Sequence, residues 1–360
     1  MKTFLIIFFI LIFNLLYSQK KYTWGIEARP KIGFLAAHNS SMAHVPNKQA
    51  FAQEISFFIQ TYGSKKWHKN YKYPLVGITY FSGSLGNDQI LGRFNGIYQF
   101  IEFPFIHKKK YRFLGKLANG LAYTPKHYDP ITNPKNNGIG SHVNALICFG
   151  LINRLDINNH HFSFGIDITH CSNAAAQTPN LGVNLPFLSL GYGYTIHQNN
   201  HLDSIKIGYH LPFKKFLFGA TSIISEKEIY PTQNRKYAVF SLSVNTRYFF
   251  KPRIGCELAF DFFSKQSIFG YKTDIKKTQL DIIQLGVFAG YLLPLDNFHF
   301  VLGMGVYVRD KYKPDDLFYH RVGMRYYLNN GLFFNVVLKS HWAKADYFES
   351  GIGYTLNYKK

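Results

Sequence analysis

Along most of the chain, apolar and polar residues alternate one by one. Ala238, Phe240, Leu242, Val244, Thr246 and Tyr248 fall on one side of the pattern, against Val239, Ser241, Ser243, Asn245 and Arg247 on the other. Successive side chains of a strand point to opposite faces, so a period of two predicts strands with one apolar face. Segments of this kind, separated by turn residues, recur at roughly 23–36, 49–62, 74–84, 95–106, 111–123, 142–154, 160–172 and 187–197. In the second half they fall at roughly 214–225, 236–249, 253–265, 280–294, 298–309, 316–328, 331–343 and 346–358. About sixteen strands, an even number, predict an all-β antiparallel transmembrane barrel with lipid-facing and lumen-facing sides. One sixteen-strand barrel is the expectation, although a linker near 203–212 would also allow two tandem barrels.

The connections set the orientation. With the first strand running outward, the turns at 107–110, 295–297 and 329–330 are periplasmic, and the long polar loops 124–141 and 225–235 are external. Short inner turns and long outer loops are the asymmetry of bacterial barrels. The two halves also hint at duplication. Ile168–His170 precedes the Gly-Tyr-rich Leu190–Tyr194, and Lys339–His341 precedes Gly351–Tyr354, with Ala343 where the first half has Ser172.

Composition supports export and a lipid setting. Lys2, the apolar run 4–16 and Ser18 form a signal-peptide pattern over 1–18, leaving 19–200 and 201–360 as the two halves of the mature barrel. Aromatic residues make up 18% of the chain, and barrels place such residues in girdles at the membrane interfaces. The formal charge of +21 suits nucleic acid in a cytosolic protein; in an exported one it suits anionic membrane lipids, including phosphorylated glycolipids. Cys148, Cys171 and Cys256 are too few and scattered for a disulfide framework. No spacing predicts a metal site, and no cofactor is expected.

Chemistry concentrates at the end of the seventh strand. One face carries Phe162, Phe164, Ile166, Ile168, His170 and Ser172; the other carries Ser163, Gly165, Asp167, Thr169 and Cys171. A histidine and a serine thus end an apolar, lipid-directed face at the outer leaflet, their Cβ atoms about 6.5–7 Å apart by strand rise. Serine is a weak nucleophile until an adjacent base takes its proton, and that base needs a third group to fix its tautomer.

The segment from His170 through Ser172, Asn173, Asn180, Gly182, Asn184 and Pro186 into the strand 187–194 resembles the PagL-type lipid A 3-O-deacylase family, also described as acyloxyacyl hydrolases. The resemblance covers the His-x-Ser-Asn and Pro-Asn-x-Gly elements and, more loosely, the first eight strands. It implies an outer-membrane serine esterase that removes an ester-linked acyl chain from lipid A of lipopolysaccharide. On that mapping Ser172 is the nucleophile and His170 the general base. Asn173 and Asn180, with backbone N–H groups near Gly182, are the oxyanion donors. The family's best-known form has a glutamate fourteen residues after the histidine, where this chain has Asn184. An amide orients a histidine but offers no charge to the imidazolium. The competing reading is a non-catalytic barrel, porin-like or structural, since sixteen strands in one barrel enclose an aqueous channel.

Overall fold

A computed structural model describes residues 22–198, 215–229, 235–271, 273, 276–342 and 344–356. The predicted signal peptide and the linker near 203–212 lie outside these residues. Sixteen strands are present. The first eight are β1 (Thr23–Phe34), β2 (Gln49–Gln60), β3 (Leu75–Ser84), β4 (Arg93–His107), β5 (Tyr111–Tyr123), β6 (Val143–Ile157), β7 (His160–Ser172) and β8 (Val183–His197). The second eight are β9 (Phe216–Lys227), β10 (Tyr237–Lys251), β11 (Ile254–Lys265), β12 (Ile283–Leu295), β13 (Phe298–Arg309), β14 (Phe318–Tyr327), β15 (Leu332–His341) and β16 (Lys344–Leu356). Among the described residues, no helix is long and apolar enough to cross a membrane; the α-helix that precedes β3, Lys66–Asn70, has five residues.

The strands do not form one sixteen-strand barrel. β8 pairs antiparallel with β1, and β16 with β9, so each set of eight closes on itself. Closure at eight leaves no unpaired edge that would require a partner from the other half. An eight-stranded barrel has room inside for side chains and little else, and both interiors are filled. In the first, Arg29 pairs with Glu27 at 2.8 Å, Lys31 with Asp167 at 2.8 Å and with Glu54, and Lys116 with Glu54 at 2.8 Å. In the second, Arg321 bridges Asp261 and Glu349, both at 2.6 Å, while Arg325 pairs with Glu257. The porin-like reading depended on a wide wet lumen and loses its basis here.

The alternation works as the sequence predicts. Phe162, Phe164, Ile166 and Ile168 are exposed on the outside of β7, whereas Ser163 and Thr169 are buried inside. Large apolar residues exposed on nearly every strand form the outward band that lipid requires.

The second strand of the site begins earlier than its pattern suggests. β8 starts at Val183, although Asn184 and Pro186 read as loop. Proline lacks an N–H to donate to a ladder. Pro186 is accommodated because the ladder to β1 is interrupted there, between the Gly33–Phe187 pair and the isolated Ala36–Asn184 bridge. On its other side Pro186 stays in register opposite Ile168. This extension carries Asn184 into the sheet directly across from His170.

Candidate active site

The C-terminal end of β7 is covered by residues 173–182, which connect it to β8. The loop is held from outside by the β5–β6 connection, as Leu181 N–H donates to Asn137 O at 3.0 Å and Gly182 N–H to Gly138 O at 2.9 Å. Ser172 lies beneath it and is 6% exposed, although it shares the outward face of the exposed Ile168. A serine on a lipid-facing strand is thus shielded by its own following loop.

Ser172 Oγ accepts two hydrogen bonds, from Asn180 Nδ2 at 2.8 Å and from the Ala174 N–H at 3.2 Å. Both donors favour an oxygen carrying negative charge. Asn180 is itself oriented: the Gly140 N–H donates to its Oδ1 at 3.3 Å, which turns the amide nitrogen toward Ser172. Gly140 has no room for a side chain, because a Cβ there would lie 2.3 Å from Gln177 O and 2.8 Å from Pro179 O.

His170 Nδ1 lies 2.7 Å from Asn184 Oδ1. A carbonyl oxygen only accepts, so Nδ1 carries the proton and Nε2 is left with its lone pair. That is the tautomer a general base needs. The amide nitrogen of Asn184 is 3.0 Å from His38 Nδ1, and His38 Nε2 is 3.2 Å from Leu181 O. Asp167 faces the lumen, paired with Lys31, and does not serve His170. Ser172 and His170 are not hydrogen-bonded to each other, but Gly182 brings them to one point. A Cβ on Gly182 would fall 3.2 Å from Ser172 Cβ, 3.3 Å from His170 Nε2 and 2.8 Å from His170 Cε1. Gly182 also has φ +75°, a conformation that favours glycine. The space a substrate atom needs between serine and histidine is therefore kept by a missing side chain.

The structure thus brings His170, Ser172, Asn180, Gly182 and Asn184 together. Asn173 stands apart: its amide donates to Ser141 Oγ at 2.9 Å and to Gln177 O at 3.0 Å, fastening the loop. Sequence reasoning did not find Ala174, Gly140 or His38. Ala174 and Gly140 act through backbone N–H groups, which leave no residue-type signal, and His38 lies 146 residues from Asn184.

Below the site, an apolar groove of about 1280 Å³ crosses the outer wall of the first barrel. It runs past Phe34, Pro186, Ile168 and Phe149 toward Phe105, with Tyr291 and Leu293 of the second barrel at its far end. Ile168 belongs to this groove and is two residues from His170.

Two clusters outside the site have carboxylates and a third ligand type close enough for a metal, Glu54–Cys148–Asp167 and Asp315–His341–Asp346. In both, lysines already neutralise the carboxylates: Lys31 in the first, and Lys227, Lys265 and Lys339 in the second.

Two family models match the chain. The model of the lipid A 3-O-deacylase (PagL) family matches residues 53–195, and that of the acyloxyacyl hydrolase C-terminal domain matches residues 214–358. The first half of the chain belongs to the PagL family. The two matches fall on the two barrels, and both families are hydrolases acting on ester bonds. No curated protein matches the chain. Among solved structures, Neisserial surface protein A shares 10% identity, covering 48% of this chain and 97% of its own, with a TM-score of 0.32. A mutant Rh. blastica porin shares 7%, covering 93% of this chain and 100% of its own, with a TM-score of 0.18.

Proposed function

We propose that this PagL-family protein is an outer-membrane serine esterase that removes an ester-linked acyl chain from lipid A in the outer leaflet. The observation that carries the reading is the 2.7 Å contact between His170 Nδ1 and Asn184 Oδ1. The Nδ1 proton is committed to Asn184, which leaves Nε2 basic on the same side of the strand as Ser172.

Ser172 Oγ attacks the ester carbonyl carbon while its proton passes to His170 Nε2. The oxyanion is stabilised by the donors now on Ser172 Oγ, Asn180 Nδ2 and the Ala174 N–H. Collapse breaks the ester C–O bond; the sugar alkoxide takes the proton from His170, leaving an acyl-Ser172. Water, deprotonated by His170, then releases the fatty acid and restores the serine. The acyl chain rests in the groove past Ile168 and Pro186 on the apolar outer wall, so the lipid need not leave the bilayer. Asn184 holds the imidazole but adds no charge to the imidazolium, so the base is weaker than with a carboxylate partner.

Mass spectrometry of lipid A from cells expressing the protein tests this reading. Loss of one 3-hydroxy-linked acyl chain, restored in the Ser172→Ala variant, supports it; an unchanged lipid A profile refutes it.

A further inference from the structure

Asn184 replaces the family's usual acid with a two-ended group, and this creates a problem that a carboxylate does not have. Either oxygen of a carboxylate accepts a hydrogen bond, but an amide accepts at one end and donates at the other. With Oδ1 toward His170, Nδ1 is protonated and Nε2 is basic. With the amide reversed, Nδ2 would face Nδ1, the proton would move to Nε2, and the base would be blocked.

Something must choose between these orientations. We propose that His38 is a positioning residue which fixes the amide of Asn184 and, through it, the tautomer of His170; the inference rests on the esterase reading above. With a single proton on the His38 ring, every donor and acceptor in the chain follows. Leu181 O only accepts, so His38 Nε2, 3.2 Å away, carries that ring's proton. His38 Nδ1 is then an acceptor, and 3.0 Å from it the Asn184 end must be nitrogen. The other end, 2.7 Å from His170 Nδ1, must be oxygen. A backbone carbonyl in the site loop thus sets the catalytic tautomer through two side chains. His38 is hydrogen-bonded to neither Ser172 nor His170. It lies in the β1–β2 connection, four residues beyond the last residue of β1.

The tautomer of His170 is measurable directly by 15N NMR of the full-length, histidine-labelled protein in detergent. In the wild type the proton sits on Nδ1. His38→Ala is expected to shift a substantial fraction of His170 to the Nε2 proton, whereas His38→Gln, which keeps an acceptor, is expected to retain Nδ1. In an Asn184→Glu background His38→Ala is expected to leave the tautomer unchanged, because a carboxylate has no orientation to fix. Deacylation should follow the same pattern. His38→Ala lowers kcat about tenfold or more with Asn184 present, leaves KM unchanged, and changes kcat less than about twofold with Glu at 184; loss of a correctly placed base costs on the order of 10²–10⁴. An unaltered His170 tautomer in His38→Ala, or equal kcat losses in both backgrounds, would overturn the proposal by reducing His38 to a support for the loop. A tautomer shift in His38→Ala beside a wild type that deacylates nothing refutes the esterase reading and leaves the positioning role standing.

Discussion

The two barrels place similar strands in similar positions and build different things from them. β7 and β15 are each the seventh strand of a closed eight-strand barrel, and each ends in a histidine within its last three residues. On β7 the outward series Phe164, Ile166, Ile168 continues to His170. On β15 the outward series Phe334, Val336, Leu338 passes His341 by, because the histidine follows at an odd interval. His341 is buried in the lumen, where its Nε2 lies 3.1 Å from Tyr307 Oη among Lys265, Lys339 and Asp346. Asp315, in the loop before β14, belongs to the same cluster: burial pushes its carboxyl up, and the Lys265 ammonium holds it well below the usual carboxylate range. The connections differ as much as the parity. Ten residues follow β7 and supply Ala174, Asn180 and Gly182, whereas β15 reaches β16 through residues 342–343 alone. A one-residue change in register converts an outer-face histidine into an ion-network member, and a short turn removes the donors to the serine.

The contrast breaks most sharply under matched substitutions. Ser172→Ala is expected to lower lipid A deacylation by about 10³-fold or more, as loss of an activated nucleophile does, with the thermal melt unchanged. His341→Ala in the second barrel is expected to leave the rate as it is and to cost about 1–3 kcal/mol of stability from its buried partners, read as a lower Tm. A rate loss in His341→Ala would show that the second barrel shares the chemistry.

The paired glycines come next in size. Gly182→Ala puts a methyl 2.8 Å from His170 Cε1, and the ring must move to admit it. A displaced base costs about 10²-fold in kcat, so that loss is expected with little change in folding. Gly331 in the β14–β15 turn also has a positive φ, +90°, but touches no site. Gly331→Ala is expected to cost about 1 kcal/mol of stability and no activity. Equal rate losses in the two variants would mean that Gly182 acts only through the backbone.

The same contrast shows what was legible in the sequence. Strand count and face assignment follow from a period of two, a local signal, and β7 shows both. Closure does not: which strand β8 joins depends on pairing across more than 150 residues, from Gly25–Thr195 to Gly33–Phe187, and alternation is the same for one barrel or two. Ser172 and His170 were visible because two polar residues end an apolar face. Asn184 was visible only through the family resemblance, and its strand was not, because Pro186 masks a ladder that is broken on one side only. The orienting groups were invisible for another reason. Gly140 and Ala174 contribute main-chain N–H groups, and His38 contributes through a loop whose path the pattern does not determine.

A smaller and opposite effect tests the amide. Asn184→Glu supplies the charge that stabilises an imidazolium and accepts from His170 with either oxygen. It is expected to raise kcat about tenfold, measured on detergent-dispersed lipid A. No response would remove Asn184 from the mechanism, and with it the account of why His38 is needed.

The smallest expected effect concerns how the barrels meet. Glu228, which follows β9, donates its N–H to Ala175 O at 3.0 Å and accepts the Thr178 N–H on its carboxylate at 2.6 Å. Both partners lie in the loop that covers Ser172, where Ala174 and Ala175 hold positive φ values of 54° and 61°. Non-glycine residues in that region cost about 1 kcal/mol or more each and persist only where neighbours hold them. Among the described residues, the second barrel supplies no hydrogen bond to Ser172 or His170 and still helps keep the Ala174 N–H on Ser172 Oγ. Glu228→Ala is expected to lower kcat a few-fold, about 3–10 times, given that removal of one charge-assisted hydrogen bond costs about 1.5–3 kcal/mol shared with loop order. KM should stay constant, because the groove past Ile168 is untouched. Glu228→Gln keeps an acceptor for Thr178 and is expected to behave as wild type within about twofold. If Glu228→Ala leaves kcat unchanged, the β7–β8 loop is held by the β5–β6 connection alone, and the two barrels are neighbours without being coupled.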